Sequence, residues 1–301
     1  MPPSVRHVAL PALWMLIASA LFAAQAGLVK AALETLSAVE VVFFRSAFGA
    51  LATLAYIGLR GHTLRTPHGG AQLALGVVGW VSLLCYFAAL GMLPLGTATA
   101  LNYTAPIFLT LFVALLGMHR PRVFAVAGVM VGLAGVWLLL KPSLGGQHWP
   151  GVSIALFSGV SGGVAYLLLS RLGIAGEPEW RTSLYFSAVG TVLGGIATLM
   201  FGTSVNTGRE VALVASIGVL ATLAQLAMAA AYSYGTPLIP ATFSYAAVVF
   251  SSLIGTYFWH DHLDLPAWLA IGLVIASGIM VSVHRSGRSA EGGPNHVEPE
   301  Q

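Results

Sequence analysis

Residues 39–50 read VEVVFFRSAFGA and place two full charges, Glu40 and Arg45, inside a run that is otherwise suited to lipid. A charge at the centre of a membrane helix costs roughly 2.5–3.5 kcal/mol even on lenient scales. The four letters SAFG at residues 46–49 return as SAVG in the second half of the chain. This stretch therefore poses two questions: what Arg45 faces, and whether the two halves of the chain are related.

The composition of the chain excludes a water-soluble globular protein. Its 301 residues are 57% hydrophobic and 8% charged, whereas soluble domains carry about 25% charged residues. The apolar runs are roughly 20 residues long and unbroken, which favours membrane-spanning helices over the alternating strands of a β-barrel. A single cysteine, Cys85, excludes an internal disulfide. We therefore predict an all-α integral membrane protein.

Ten apolar segments follow one another along the chain, joined by short connections that contain proline or glycine. Each is long enough, or nearly so, to cross a bilayer as a helix. We predict ten transmembrane helices, at residues 8–28, 38–59, 69–90, 95–117, 123–140, 151–169, 182–201, 211–232, 238–258 and 267–283. Residues 285–301 are polar and lack periodicity, which is typical of a disordered tail.

The basic residues predict which side of the membrane each connection faces. If the N-terminus is inside, nine arginines lie in inside segments, three basic residues lie in outside loops, and Arg45 lies within a span. Cytoplasmic segments carry an excess of Lys and Arg, so we expect a multi-pass protein with both termini and the tail in the cytoplasm. The pI is near 9.2, but the basic residues are spread too thinly to indicate nucleic-acid binding.

The two halves of the chain align when one is shifted by about 141–143 residues. An odd number of spans in each half turns the second half upside down, and inverted repeats of this kind are typical of transporters. We predict two inverted five-helix repeats, at residues 1–145 and 146–284. The matches, in order, are Lys30 with Arg171, SAFG at 46–49 with SAVG at 187–190, PLGTAT at 94–99 with PLIPAT at 237–242, and Gly135 with Gly278.

Three blocks of sequence resemble the drug/metabolite transporter superfamily, specifically its EamA-type permeases. The resemblance implies the five-plus-five fold, a place in the bacterial inner membrane, and secondary transport of a small organic metabolite by alternating access. Export of amino acids or similar compounds is the leading expectation, and uptake by the same fold is the alternative. The blocks are LVKAALETLSAVEVVFFRSAFGAL at 28–51, YFAALGMLPLGTATALNYTAPIFLTLFVALLG at 86–117 and GVMVGLAGVWLLL at 128–140, the last echoed by GLVIASGIMVSV at 272–283.

One position departs from the family pattern. Members often close the fourth span with an acidic residue, where this chain reads LGMH at 116–119. The matching place in the second half carries Asp261. A role that the family gives to the first of those acids therefore has no counterpart here.

Arg45 is the first candidate for a functional residue. It lies ~10 Å below the predicted outer end of its span, which is too deep for an ordinary interfacial anchor. Glu40 is the only carboxylate predicted inside the membrane, and it lies about 140° around the helix from Arg45. Arg45 therefore either binds a substrate carboxylate or gates access to it, or else it holds the end of the helix through backbone carbonyls.

Other intramembrane polar and aromatic side chains are candidates of the same kind. Gln25, Asn102, Gln225 and Tyr245 either line a substrate cavity or bond between helices. Trp14 and Trp80 lie below the interfacial belt and either stack on a ligand or pack in the core. Glu40 either carries a coupling proton, if burial raises its pKa toward neutrality, or lies solvated at the membrane surface.

An enzyme is the competing class of function. The run GVSGG at 159–163 satisfies G-x-S-x-G and makes Ser161 a candidate nucleophile of an intramembrane serine hydrolase, but no histidine falls within any predicted span to serve as its base. Small residues at this spacing also form ordinary helix-packing surfaces. We therefore expect no enzymatic activity. Metal binding by HDH at 260–262 is a minor alternative, because such a trio is as readily solvated.

The expected partners follow from this interpretation. They are a small-molecule substrate, the lipid bilayer and a proton or ion gradient, with no nucleic acid. No G-x-x-x-x-G-K-[ST] motif is present, so ATP drive is not encoded. We expect no cofactor and no metal, and a monomer or homodimer.

Overall fold

A computed structural model describes residues 3–61, 64–116, 149–201, 205, 207–233, 240, 243–261 and 263–291, with scattered residues between 127 and 138. Every element in this part of the chain is an α-helix. The helices are α1 (Pro3–Ala32), α2 (Ala38–Arg60), α3 (Gly69–Leu90), α4 (Leu95–Asn102), α5 (Ala105–Leu115), α6 (Trp149–Ile174), α7 (Glu179–Phe201), α8 (Gly208–Tyr232), α9 (Ala246–Phe258) and α10 (Leu265–Glu291).

Seven stretches of the described chain are long and apolar enough to cross a membrane, if α4 and α5 are taken as one stretch. α9 and the first part of α10 are apolar but shorter. The predicted fifth span, 123–140, and the start of the ninth fall largely outside the described residues, as does His262. The expectation of an all-helical, multi-pass protein is confirmed, and the number of ten spans stays a prediction.

The starts of α2 and α8 are fixed by capping boxes. The Glu40 carboxylate accepts hydrogen bonds from the Ser37 amide, at 2.8 Å, and from its hydroxyl, at 2.9 Å. Thr207 and Glu210 make the same arrangement at the start of α8. Reciprocal bonds of this kind satisfy amides that have no partner within the helix. Glu40, predicted as a coupling residue, is therefore also part of the capping box whose N-cap residue is Ser37.

The last helix extends past the start that the sequence indicates for the tail. α10 continues to Glu291, whereas composition places the beginning of a disordered tail at residue 285. The run Gly292, Gly293 and Pro294, which follows Glu291 directly, is a cluster of helix breakers. Residues 292–301 lie outside the described part of the chain.

The repeated motifs SAFG and SAVG contact each other where α2 crosses α7. A β-carbon on Gly49 would lie 2.9 Å from Ser187 Oγ, and one on Gly190 would lie 2.6 Å from Ser46 Oγ. The contact is reciprocal, because the glycine of each motif lies against the serine of the other. α1 packs on α8 and α3 on α6, and these two pairs are equivalent under the predicted repeat.

The main apolar core lies at one end of the bundle, which we call the Lys30 end. Its members come from the last two turns of α1 and α3 and the loops that follow them, from α9, and from the first three turns of α2, α4, α6, α8 and α10. At 1.5 Å per residue they all lie within roughly 15 Å of that end. We call the opposite end the Glu177 end. The smaller cluster there, Met15, Ala18, Ala227 and Ala231, joins α1 to α8 alone.

Candidate functional site

The fourth predicted span is broken in its middle. α4 ends at Asn102 and α5 begins at Ala105. Pro106 has no amide, so the Asn102 carbonyl lacks its helical donor. The Ile107 amide donates to the Thr104 carbonyl, at 2.8 Å, where a continuous helix would use Tyr103. Non-helical backbone at membrane depth is tolerated only inside protein or along a cavity.

A matching break precedes α9 in the second half of the chain. Ser244 and Tyr245 form a turn before the helix begins at Ala246. The Ser19 hydroxyl of α1 lies 3.3 Å from both the Phe243 and the Ser244 carbonyl and donates to them. α1 therefore supplies the hydrogen bond that the interrupted helix lacks.

The two breaks meet in a group of tyrosines that we call the tyrosine crossing. The rings of Tyr103 and Tyr245 pack edge to face, with centroids 5.8 Å apart. Tyr245 is 3% exposed, and its hydroxyl has no partner among the described residues. The Tyr86 hydroxyl shares a hydrogen bond with Thr99, at 3.1 Å. We include in the crossing Tyr103 and Tyr245, which are in contact, and the nearby Tyr86, Tyr166 and Tyr232.

The exposed part of Tyr166 lies on the face of α6 that packs against the α4–α5 break. Tyr166 is 47% exposed and Phe157, on the same helix, is 53% exposed. At 100° per residue these two side chains point in opposite directions, and Tyr166 shares the face of Gly159, which packs on the α4–α5 break. Because Phe157 faces outward, the exposed surface of Tyr166 faces the interior of the bundle. Tyr232, at the Glu177 end of α8, is 39% exposed.

Arg45 lies between neighbours on two helices of the second half. On the same side of α2, Gly49 contacts Ser187 of α7 and Phe48 contacts Gly218 of α8. The Nε of Arg45 is buried and unpartnered. No described residue forms a hydrogen bond or ion pair with this guanidinium.

Two other buried donors near Arg45 lack partners. Ser46 Oγ and Trp80 Nε1 make no hydrogen bond within the described chain. Both side chains lie against Gly190 of α7. Trp80, one of the predicted site residues, thus lies at the junction of α2, α3 and α7, near two other side chains, Arg45 and Ser46, whose buried polar atoms lack a hydrogen-bond partner in the described chain.

The remaining predicted residues lie in different surroundings. Asn102 donates to Ser158 Oγ at 3.1 Å and so ties α4 to α6. Gln25 is buried in α1, and Gln225 is half-buried in α8. Trp14 is 38% exposed among exposed Leu10, Leu13 and Ile17, so it lies on the outer face of α1.

Ser161, the nucleophile of the competing hypothesis, is engaged with backbone. Its hydroxyl donates to the Phe157 carbonyl, at 2.7 Å, and to the Ser158 carbonyl, at 3.2 Å. The adjacent glycines pack on the α4–α5 break, because a β-carbon on Gly159 would lie 2.7 Å from the Leu101 carbonyl oxygen. The GVSGG run is therefore a helix-packing surface.

A polar network at the Glu177 end connects the α2–α3 loop to α7. The Glu177 carboxylate accepts from Thr66, lies 3.0 Å from His68 Nδ1, and accepts from Arg181 at 2.9 Å. Gln72 bridges it to Thr182. The Thr66 hydrogen bond, with smaller contributions from His68 and Arg181, outweighs desolvation and lowers the pKa of Glu177 from 4.5 to about 2.

This network predicts a pH-dependent loss of stability. Because the pKa of Glu177 is lower in the folded state, its ionised form stabilises the fold fully above pH 4.5, and this stabilisation is lost as the pH falls toward about 2. We expect Glu177→Gln to unfold at a lower temperature than the unaltered protein at pH 7, with the difference shrinking at acidic pH. Thermal unfolding in detergent measures it. Glu179→Gln, an exposed carboxylate two positions on, should leave both curves unchanged, and a Glu177 effect independent of pH would contradict the prediction.

Comparison with known proteins agrees with this architecture. The profile of the EamA-like transporter family matches residues 9–141. The pseudopaline exporter CntI of Pseudomonas aeruginosa (strain UCBPP-PA14) is 33% identical over 89% of this chain and 91% of its own. The riboflavin transporter of Rhizobium johnstonii is 26% identical over 90% of both chains, and the inner membrane transporter YedA of Escherichia coli (strain K12) is 25% identical over 76% of both.

A solved crystal structure shows the same fold over nearly the whole chain. It covers 94% of this chain and 99% of its own, with a TM-score of 0.62 and 23% identity. The identity to the pseudopaline exporter extends across both halves of the sequence. The protein is therefore a transporter and not an enzyme, and it belongs to the EamA-like transporter family of the drug/metabolite transporter superfamily.

Proposed function

We propose that this protein is a secondary transporter that exports a small organic metabolite, such as an amino acid or a similar compound, by alternating access. The observation that carries the proposal is the meeting of two broken helices, one from each predicted half, at Tyr103 and Tyr245. Discontinuous helices in corresponding positions of two repeats are the best pointer to a transporter's substrate site. A pseudopaline exporter and a riboflavin transporter among its relatives support a small organic substrate.

The inverted repeat is part of this proposal. The reciprocal contacts of Ser46 with Gly190 and of Gly49 with Ser187 support it, as does the equivalence of the two helix breaks. Rocking of residues 1–145 against 146–284 would expose the tyrosine crossing alternately at the two ends. Two cytoplasmic termini and an inner-membrane location complete the proposed topology.

Arg45 is proposed to bind a carboxylate of the substrate. The support is that no described residue supplies a counter-charge to Arg45, so an anionic ligand would offset the cost of holding the guanidinium at membrane depth. The alternative role, a clamp on α2, requires carbonyl partners for the guanidinium.

Glu40 is proposed as the site of a coupling proton. The change Glu40→Gln removes the titratable group but keeps a carbonyl that can accept from the Ser37 amide, so the cap of α2 persists. We expect a flattened pH dependence of transport with little change in unfolding temperature. Initial rates of flux between pH 5.5 and 8.5 measure it. A pH profile identical to that of the unaltered protein would remove Glu40 as the coupling site.

The function itself is tested with purified protein in proteoliposomes. A thermal-shift screen of metabolites at two pH values selects ligands, and the stabilising ones are loaded as radiolabelled solutes inside the vesicles. Saturable, gradient-dependent efflux supports a secondary exporter, and flux in the opposite direction alone supports the uptake alternative. Flux that is neither saturable nor gradient-dependent would contradict both.

A further inference from the structure

An ion pair at the Lys30 end connects helices that lie far apart in the sequence. Lys30 Nζ at the end of α1 lies 3.2 Å from both carboxylate oxygens of Asp261, in the α9–α10 loop. Lys30 also donates to the Leu93 carbonyl, at 3.1 Å, and lies over the Trp259 ring, 5.6 Å from its centroid. The Asp261 carboxylate accepts from the Leu95 amide, the first of α4, at 2.8 Å. We call these contacts the Lys30–Asp261 lock.

The backbone holds Asp261 in place for these contacts. α9 ends in a turn in which His260 has a φ of 52°, in the left-handed region that non-glycine residues rarely adopt. The amides of Trp259 and Asp261 both donate to the Gly255 carbonyl, at 3.0 and 3.2 Å. A β-carbon on Gly255 would lie 2.5 Å from an Asp261 carboxylate oxygen, so only glycine admits the carboxylate there. Residues with strained backbone persist where the surrounding structure fixes them, often at switches.

The lock closes the Lys30 end over the main core. Its side chains are mostly buried, 13% exposed for Lys30 and 12% for Asp261, and the core beneath it includes the fully buried Leu95, Ala98 and Leu101. The other ion pair described at this end, Glu34 with Arg209, spans 3.8 Å between exposed side chains and contributes little. At the same time Tyr166 and Tyr232 expose surface on the Glu177 side of the tyrosine crossing.

We propose that Asp261 is the gate residue of the Lys30 end, and that the structure is the state in which this end is locked and the tyrosine crossing opens toward the Glu177 end. The proposal rests on the proposed transport function. Lys30 and α4 belong to the first predicted repeat and Asp261 to the second, so the opposite state requires the lock to separate. A buried ion pair often adds little to the stability of a fold, because desolvation offsets the attraction between the charges. A conformational switch is one of the established uses of such a pair.

Accessibility of the core beneath the lock tests the proposal without a substrate. In a Cys85→Ala background, Ala98→Cys places a reporter thiol on α4, and Thr97→Cys provides a second reporter at a position that is 8% exposed. Maleimide labelling of each in nanodiscs is compared with and without Asp261→Asn, whose amide oxygen can still accept from the Leu95 amide. We expect the labelling rate to rise at least roughly fivefold, the lower end of typical coupling between conformational states.

Two further variants decide the outcome. Lys30→Gln breaks the same pair from the other side and should raise labelling similarly. Asp264→Asn is the matched control, because this neighbouring carboxylate caps α10 through the Ala267 amide, at 3.0 Å, and takes no part in the lock. Unchanged labelling in both lock variants, or an equal rise with Asp264→Asn, would overturn the proposal. Absence of flux from the unaltered protein would contradict the transport function instead, and would leave the labelling result intact.

Discussion

Replacing Arg45 by alanine is expected to abolish transport while leaving the protein folded. If the guanidinium holds a substrate carboxylate, its removal leaves that charge unpaired in a site shielded from water, at a cost of about 3–5 kcal/mol. At 1.4 kcal/mol per tenfold, the transport rate at low substrate concentration falls by at least about a hundredfold. Efflux from proteoliposomes measures the rate, and thermal unfolding in detergent measures the fold.

The unfolding temperature separates the two roles of Arg45. No described residue pairs with its guanidinium, so Arg45→Ala should leave stability unchanged or raise it. If Arg45 instead clamps α2 through backbone carbonyls, its removal would break those hydrogen bonds and lower the unfolding temperature. Arg45→Lys keeps the charge without the planar fork and should retain partial transport with a raised KM. Arg60→Ala, at the exposed end of α2, is the matched control and should transport normally.

The class of fold could be predicted from the sequence because each helix that crosses a bilayer needs an apolar run of about the same length. Apolar runs of spanning length predicted the helices, and the shift that aligns SAFG with SAVG paired two motifs that contact each other across α2 and α7. Pro106 marked the interrupted helix of the first half. Ser37 and Glu40 also form S-x-x-E, a capping-box signature from which the cap of α2 could have been predicted and was not.

Tyr245 was the one member of the tyrosine crossing selected from the sequence, although the predicted repeat also contains the signal for Tyr103. The number of residues between Tyr103 and Tyr245 falls within the 141–143-residue offset that aligns the two halves. The choice of polar side chains in the fourth span selected the neighbouring Asn102 instead. Asn102 and Tyr103 are neighbours, and both contact the second half: Asn102 bonds to Ser158 of α6, and Tyr103 packs on Tyr245 at the second break. Trp14 was selected by its depth in the membrane, which does not determine the face of the helix on which a side chain lies.

The Lys30–Asp261 lock lies beyond local sequence patterns for a different reason. Its two residues are separated by 231 positions, and each lies in a predicted loop where a solvated charge needs no partner. The family comparison drew attention to Asp261 as the acid that has no counterpart in the first half. Its partner depends on how the loop after α9 turns at His260, and this turn is a feature of the three-dimensional structure.

Adding one methyl group at Gly159 is expected to destabilise the protein more than any other glycine-to-alanine change in α6. The new β-carbon would lie 2.3 Å from Thr104 Oγ1 and 2.7 Å from the Leu101 carbonyl oxygen. Thr104 is fully buried and itself donates to that carbonyl, at 2.6 Å, so neither atom has room to move. Overpacking typically costs about 1–3 kcal/mol, and a clash with backbone at a helix break places Gly159→Ala at the upper end or beyond.

The same helix provides the control for this prediction. A β-carbon on Gly173 would meet nothing within 4 Å, so Gly173→Ala should be neutral or stabilise the helix by about 0.5–1 kcal/mol through lower chain entropy in the unfolded state. Thermal unfolding of the two variants in detergent should therefore shift in opposite directions. Equal unfolding temperatures would show that α6 does not pack closely on the α4–α5 break. Because that break positions Tyr103 against Tyr245, a Gly159→Ala variant that still folds should also lose transport, whereas Gly173→Ala should retain it.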